Sequence, residues 1–376
     1  MKFIHIADLH IGKSLGEIDL YEDQKYALDA IIQKVREHQP EAVLIAGDVY
    51  DKAQPSARAV ELADQFFTDL VAACGTVCVI GGNHDSHERL SFARRILSKR
   101  GLHIAGGYEG RLASVECGSA VIWMMPFFRP REAAAILGIT EDMTYDQAVR
   151  AVIGNENIDP GCVNILLAHQ FVIGGQNAPE TCESEVELST VGGIAHVDYG
   201  SFDAFDYVAL GHLHGSQQVG REAVRYAGSP IKYSASEDRH IKTFVLGEIE
   251  KGMFQYTLIP ITCLRNLRRI KGELGMLTRP ETVALGSSED LIDVTLTDAV
   301  LPPDAPSILR QYYPNVFHIG YQPQGFDQPS FYARRQRTAG ELFREFYSYR
   351  NNGRDMDERM VKYMDRVIEE AGREDA

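Results

Sequence analysis

Five short apolar runs set the frame of this chain. Phe3-Ile4-His5-Ile6, Ala42–Ala46, Val77–Ile80, Val163–Ala168 and Tyr207–Leu210 carry at most one polar residue each. That is the pattern of strands buried on both faces. Two helical patterns separate the first three. One covers about 22–38, with Leu28, Ile31, Ile32 and Val35 on one face and Pro40 closing it; the other covers roughly 56–73. This βαβαβ layout predicts parallel strands with helices packed on the sheet. A further helix is expected from Ser86 to about Arg100, with Asp85 as its N-cap and Glu88 three residues on. Residues 174–200 are Gly-rich and acidic and predict a long surface loop.

Beyond about residue 265 the pattern changes. Ile292, Val294 and Leu296 alternate with Asp293, Thr295 and Thr297, which predicts a half-buried strand; a short helix near 303–312 and the strand Val316–Tyr321 follow. Gln322–Ser330 has linker composition. Two amphipathic helices are expected around Asn351-Asn352-Gly353. Leu342, Phe343, Phe346 and Tyr349 stripe the first; Met360, Val361, Met364, Val367 and Ile368 stripe the second.

The chain of 376 residues exceeds what one core usually holds, so a large domain with smaller ones is expected. The opening strand lacks signal-peptide features and no apolar run approaches a membrane span, so a cytoplasmic location is expected. Six cysteines without a CxxC pair suggest reduced structural thiols. The net charge of −15 works against a simple nucleic-acid binder, whose footprint is basic. Either the substrate is no polyanion, or metal ions and a partner supply the positive field.

The chemistry is concentrated where the apolar runs end. Asp8, His10, Asp48, Asn83, His84, His169, His212 and His214 all leave strand ends. Asp-x-His and His-x-His suit an extended segment, because alternate side chains share a side. Carboxylate, imidazole and one amide oxygen without thiols suit Mn²⁺, Fe²⁺ or Zn²⁺. The set exceeds the needs of one ion, so two ions with a bridging carboxylate is the economical reading. His5 and His87 are expected to be structural. Arg94, Arg95, Lys99 and Arg100 are expected as solvated helix face, with phosphate contact as the sharper alternative.

Asp8-Leu9-His10, Gly47-Asp48-Val49-Tyr50-Asp51, Gly82-Asn83-His84-Asp85, His169 and Gly211-His212-Leu213-His214 resemble the five motifs of calcineurin-like metallophosphoesterases. With Tyr226-Ala227-Gly228-Ser229-Pro230 and the tail, they resemble more narrowly the SbcD family of bacterial nuclease subunits. The resemblance implies an α/β fold: a β-sandwich core flanked by helices over 1–265, an α/β cap over 266–330 and a helix pair over 331–376. It implies that Asp8, His10 and His214 hold one ion, that Asn83, His169 and His212 hold the other, and that Asp48 bridges. His84 would be catalytic, with Asp51 orienting it; relatives often carry His where Asp51 stands. The implied activity is hydrolysis of duplex DNA ends (3′–5′) and of hairpins or single strands, with two divalent ions, Mn²⁺ favoured. The implied partners are DNA, an SbcC-type ATPase docked on the tail helices, and a second copy within a heterotetramer. Leu62, Phe66, Phe67 and Leu90 are candidates for that dimer contact, with burial in the chain's own core the equal alternative. A stand-alone phosphoesterase acting on nucleotides or phosphoproteins is the alternative.

Overall fold

The computed structural model describes residues 1–322, except 176–178, 186–188, 191–192, 195 and 301, together with short pieces between 340 and 364. In chain order the main strands begin with β1 (Lys2–Ile6), β2 (Ala42–Ala46), β3 (Val77–Ile80) and β4 (Leu102–Ala105). Next come β5 (Ala113–Cys117), β6 (Ala120–Met125), β7 (Val163–His169), β8 (Tyr207–Gly211), β9 (Gln217–Val219) and β10 (Arg221–Tyr226). β11 (Thr243–Glu250) and β12 (Met253–Pro260) form a hairpin, followed by β13 (Leu267–Gly272), β14 (Leu291–Leu296) and β15 (Val316–Tyr321).

Two six-stranded sheets form the body, in the orders β12-β11-β1-β2-β3-β4 and β9-β10-β8-β7-β6-β5. The first is parallel from β1 to β4, as the βαβαβ pattern predicts for β1, β2 and β3, and antiparallel at its β12-β11 margin. The second has a parallel centre with an antiparallel strand at each margin. Phe3, Leu44 and Ile80 of the first sheet meet Ile122, Leu167 and Tyr207 of the second in one apolar cluster, so the sheets pack face to face. Helices α1 (Tyr21–His38) and α2 (Ala57–Ala73) cover the outer face of the first sheet through Leu28, Ile31, Leu62 and Phe66. Helices Pro130–Leu137 and Tyr145–Gly154 cover the second through Ala133, Val149 and Val152. The result is a helix-flanked β-sandwich whose parallel strands all deliver their carboxyl ends to one rim. His5 is buried between the sheets and bonds Tyr207 Oη and the Leu210 carbonyl, a structural role.

The strands β13, β14 and β15 make a separate three-stranded parallel sheet with its own core of Ile292, Val294, Leu296, Leu309 and Tyr313. Gln322–Ser330 and the tail helices fall mostly outside the described residues. Of the tail, residues 340, 343–344, 347–348 and 359–364 are helical. All six cysteines are free.

Three expectations need correction. The helix expected from Ser86 to Arg100 is broken into His87–Leu90, Arg94–Leu97 and a 3-10 turn, with Ala93 left-handed at φ 58°. Ser86, not Asp85, caps its start; Asp85 is buried and accepts N–H groups of Val49, Tyr50 and Gly82. Leu62, Phe66 and Leu90 are buried in the protomer's own core and unavailable to a second copy, whereas Phe92 and Ile96 are 81% and 70% exposed. The segment 174–200 is not simply a surface loop: residues 182–185 lie against His214 and Val197 is fully buried.

Candidate metal centre

Each tip of the rim delivers polar groups through an unusual backbone. Asp8, His10, Asp48 and His212 all have positive φ (54°, 42°, 50° and 108°). Non-glycine residues hold that region at a cost, and such strain collects at functional sites. The first two tips lock together through Asp8 N–H to Gly47 O and His10 N–H to Asp48 O, at 3.1 and 2.9 Å. Gly47 itself sits at φ 88°, and a Cβ there would lie 2.3 Å from His169 Nδ1. Gly47→Ala is therefore expected to lose about 1–3 kcal/mol of stability and to displace His169. Chemical denaturation and Mn²⁺ titration would measure the two effects.

All seven ligand candidates converge. His10 Nε2 lies 3.1 Å from His214 Nε2 and 3.6 Å from Asp48 Oδ2. On the other side of the same Asp48 oxygen stands His169 Nε2, at 3.4 Å. Asn83 Oδ1 is 3.0 Å from His169 Nε2 and 3.1 Å from His212 Nδ1. Asp8 Oδ1 accepts the His212 N–H at 2.8 Å, while its buried Oδ2 has no partner. Two imidazole nitrogens face to face and an orphaned buried carboxylate oxygen are costly alone. A shared cation would satisfy them, so the donor set fits divalent metal. Asp8 with His10 and His214, and Asp8 with Asp48 and His169, each offer one donor atom within 4.8 Å of the others.

Electrostatics point the same way. Burial holds His10 well below its ordinary pKa, His212 down at about 3, and His214 lowered. These are neutral imidazoles, the form that binds metal. Burial, with the Asp48 charge, pushes Asp8 well above the carboxylate range. Burial also opposes the charge on Asp48, but His169 and His10 hold it well below that range. For His169 burial disfavours the cation, yet Asp48 and Asp8 overcome it and raise the ring to about 9.

His84 stands beside this cage and is only partly buried. Its N–H donates to Asp48 Oδ1 at 2.9 Å and its Nδ1–H to the Asp51 carbonyl at 2.8 Å. Asp51 thus meets His84 through its main chain. Its carboxylate instead pairs with Lys13 at 2.7 Å and approaches His10 Nδ1 at 3.7 Å. His169 Nδ1–H donates to the Ala46 carbonyl at 2.8 Å, which turns Nε2 into the cage. Sequence patterns missed the groups behind His214. These are Ser184, Glu185 and the buried pair Glu237–Lys242. Their spacing carries no metal signature; the nearest signal was the Tyr226–Pro230 run, which precedes Glu237 and Lys242 but not Ser184 and Glu185.

The rim position, the seven converging donors and the partly buried histidine beside them are the features of a metal-dependent phosphoesterase. Residues 1–216 match the calcineurin-like phosphoesterase family, to which the chain belongs. A curated relative, the SbcD component of the SbcCD nuclease of Staphylococcus epidermidis, is 32% identical over 323 residues, covering 85% of each chain; within the family, this chain is of the SbcD nuclease-subunit type. Residues 263–351 match the SbcD_C family, described as a type 5 capsule protein repressor C-terminal domain. Among solved structures, a dimetal phosphatase from Danio rerio is 11% identical, with TM-score 0.39, covering 70% of this chain and 99% of that one.

Proposed function

We propose that this chain hydrolyses DNA phosphodiesters as the nuclease subunit of a two-component complex. It would work from duplex ends in the 3′–5′ direction and open hairpins and single strands, under ATP-dependent control by an SbcC-type partner. Its setting would be DNA repair, recombination and replication in the cytoplasm. Among the described residues no helix is long and apolar enough to cross a membrane. The convergence of seven donors from five strand ends, with His84 beside them, carries the reading.

Asp8, His10 and His214 would hold one ion and Asn83, His169 and His212 the other, with Asp48 between. Mn²⁺ suits this mixed set. When bound, two divalent ions activate water, polarise the phosphodiester and offset the charge growing on its oxygens. They also supply the positive field that a chain of net charge −15 lacks. The protein's own part is orientation and proton handling. Ala46 and Ser184 fix the tautomers of His169 and His214. His84, held by the Asp51 carbonyl, protonates the departing 3′ oxygen.

A second copy would pack on the face around Phe92 and Ile96, beside a groove of about 400 Å³ lined by Tyr50, Phe67, Val71 and Leu97. Removing residues 331–376 is expected to spare metal-dependent hydrolysis of a simple diester while abolishing co-purification with the ATPase partner. A complex recovered intact from the truncated chain would refute that assignment of the tail. The activity itself is tested by comparing Mn²⁺-dependent nucleotide release from end-labelled duplex DNA with turnover of bis-p-nitrophenyl phosphate. Diester turnover without any DNA cleavage, alone or with the partner and ATP, would favour the stand-alone phosphoesterase.

A further inference from the structure

His214 is held from behind by groups from two distant parts of the chain. The short segment 182–185 crosses it. His214 Nδ1–H donates to Ser184 Oγ at 2.8 Å, and the Glu185 carboxylate takes the His214 main-chain N–H at 2.7 Å. Ser184 Oγ–H in turn donates a hydrogen bond to Glu237 Oε1 at 2.7 Å, and Lys242 pairs with that carboxylate in the interior. Both donors of His214 are thereby satisfied, which leaves the Nε2 lone pair facing His10.

The segment is pinned at both sides. Glu185 also accepts the Cys182 N–H at 2.8 Å, and the Glu183 N–H donates to Ser236 Oγ at 2.9 Å. Outward, the Glu183 carboxylate lies 3.7 Å from Arg269 Nη2 on β13 of the small sheet. Arg269 is in turn fixed by Asp293 of β14 at 3.2 Å. A second tie runs alongside. Lys232 donates to Asn266 Oδ1 and the Leu267 carbonyl, at 3.0 and 3.4 Å, so the start of β13 is fastened to the turn leading to Glu237.

We propose that residues 182–185 are a strap that positions His214, and that the small sheet holds the strap down through Arg269. Cation retention on the His214 side of the centre then depends on how that sheet is seated. The inference rests on the two-cation reading above. Ser184 and Glu185 are positioning residues: they touch the ligand, not the substrate. Groups in that role commonly contribute 10–100-fold to metal affinity. The Glu183–Arg269 pair is half exposed and acts more weakly, as such pairs do.

The test is Mn²⁺ binding to the full chain, followed by electron paramagnetic resonance. Wild type is expected to bind two ions. Ser184→Ala is expected to weaken one of them about ten-fold and leave the other within about two-fold. Glu183→Gln is expected to weaken the same ion about three-fold, and Arg269→Gln added to that chain to weaken it little further, as for two residues sharing one contact. Two ions held as in wild type by every variant, or both weakened equally, would overturn the strap and leave the metal site standing. A wild-type chain that binds no Mn²⁺ would overturn the two-cation reading, and the strap with it.

Discussion

Replacing His84 with alanine is expected to lower kcat on duplex DNA by about 10²–10⁴-fold, the usual range for one positioned proton donor, and to leave Mn²⁺ binding intact. The main-chain N–H that bonds Asp48 Oδ1 survives the substitution, so the Asp48 carboxylate keeps its seat. What goes is the ring. Its Nδ1–H is committed to the Asp51 carbonyl at 2.8 Å, so the transferable proton belongs to Nε2. It stands at the cage without being enclosed by it, edge-on to His10 with ring centres 4.8 Å apart. The choice of substrate separates proton transfer from simple charge stabilisation. A 3′ alkoxide leaving group needs a proton, whereas p-nitrophenolate leaves without one. His84→Ala should therefore cost at least about ten-fold less on bis-p-nitrophenyl phosphate than on DNA. Equal losses on the two would assign His84 to charge stabilisation, and loss of both ions would make it a ligand.

The parts of this molecule that sequence exposes are those where one residue type at one place has a single good explanation. Asp8, His10, Asp48, Asn83, His169, His212 and His214 were legible because each follows an apolar run, and parallel strands carry their ends to one rim. The helices α1 and α2 were legible because their apolar faces repeat at helical spacing. The misses have a common physical cause: side-chain direction set by distant neighbours. Asp85 looked like a cap because it precedes a helix, but the N–H groups of Val49 and Tyr50 on another tip and of Gly82 in its own turn capture its carboxylate. Leu62 and Phe66 read equally as interface or core, because apolar helix positions look alike whether they face a core or a partner, and the core has them. Ser184, Glu185, Glu237 and Lys242 left no trace because a buried charge is recognisable only once its partner is known. Asp51 was found for a carboxylate that turns to Lys13, while its carbonyl meets His84.

Asp48→Asn should do the opposite of His84→Ala: the fold persists and the metal goes. Asn is the same size and keeps an oxygen to accept the His84 N–H, so the tip retains its turn. The lost quantity is one negative charge shared between His10 Nε2 at 3.6 Å and His169 Nε2 at 3.4 Å. No other carboxylate oxygen among the described residues approaches both nitrogens so closely. Asp8 comes within 4.0 Å of His169 only at Nδ1. With Asp48 neutral, the one carboxylate close to both halves of the centre is gone, and both ions should weaken together. A wild-type chain at metal concentrations 100 times its Kd gains about 2.7 kcal/mol per independent site, seen as a rise in Tm. The Asp48→Asn chain should show almost none of that rise and lose at least about 10³-fold in turnover. His212→Ala should keep part of it, because the ion between Asp8, His10 and His214 does not draw on His212. A full metal-induced rise in the Asp48→Asn chain would mean that the two halves bind separately, and the bridge would have to be sought in Asp8.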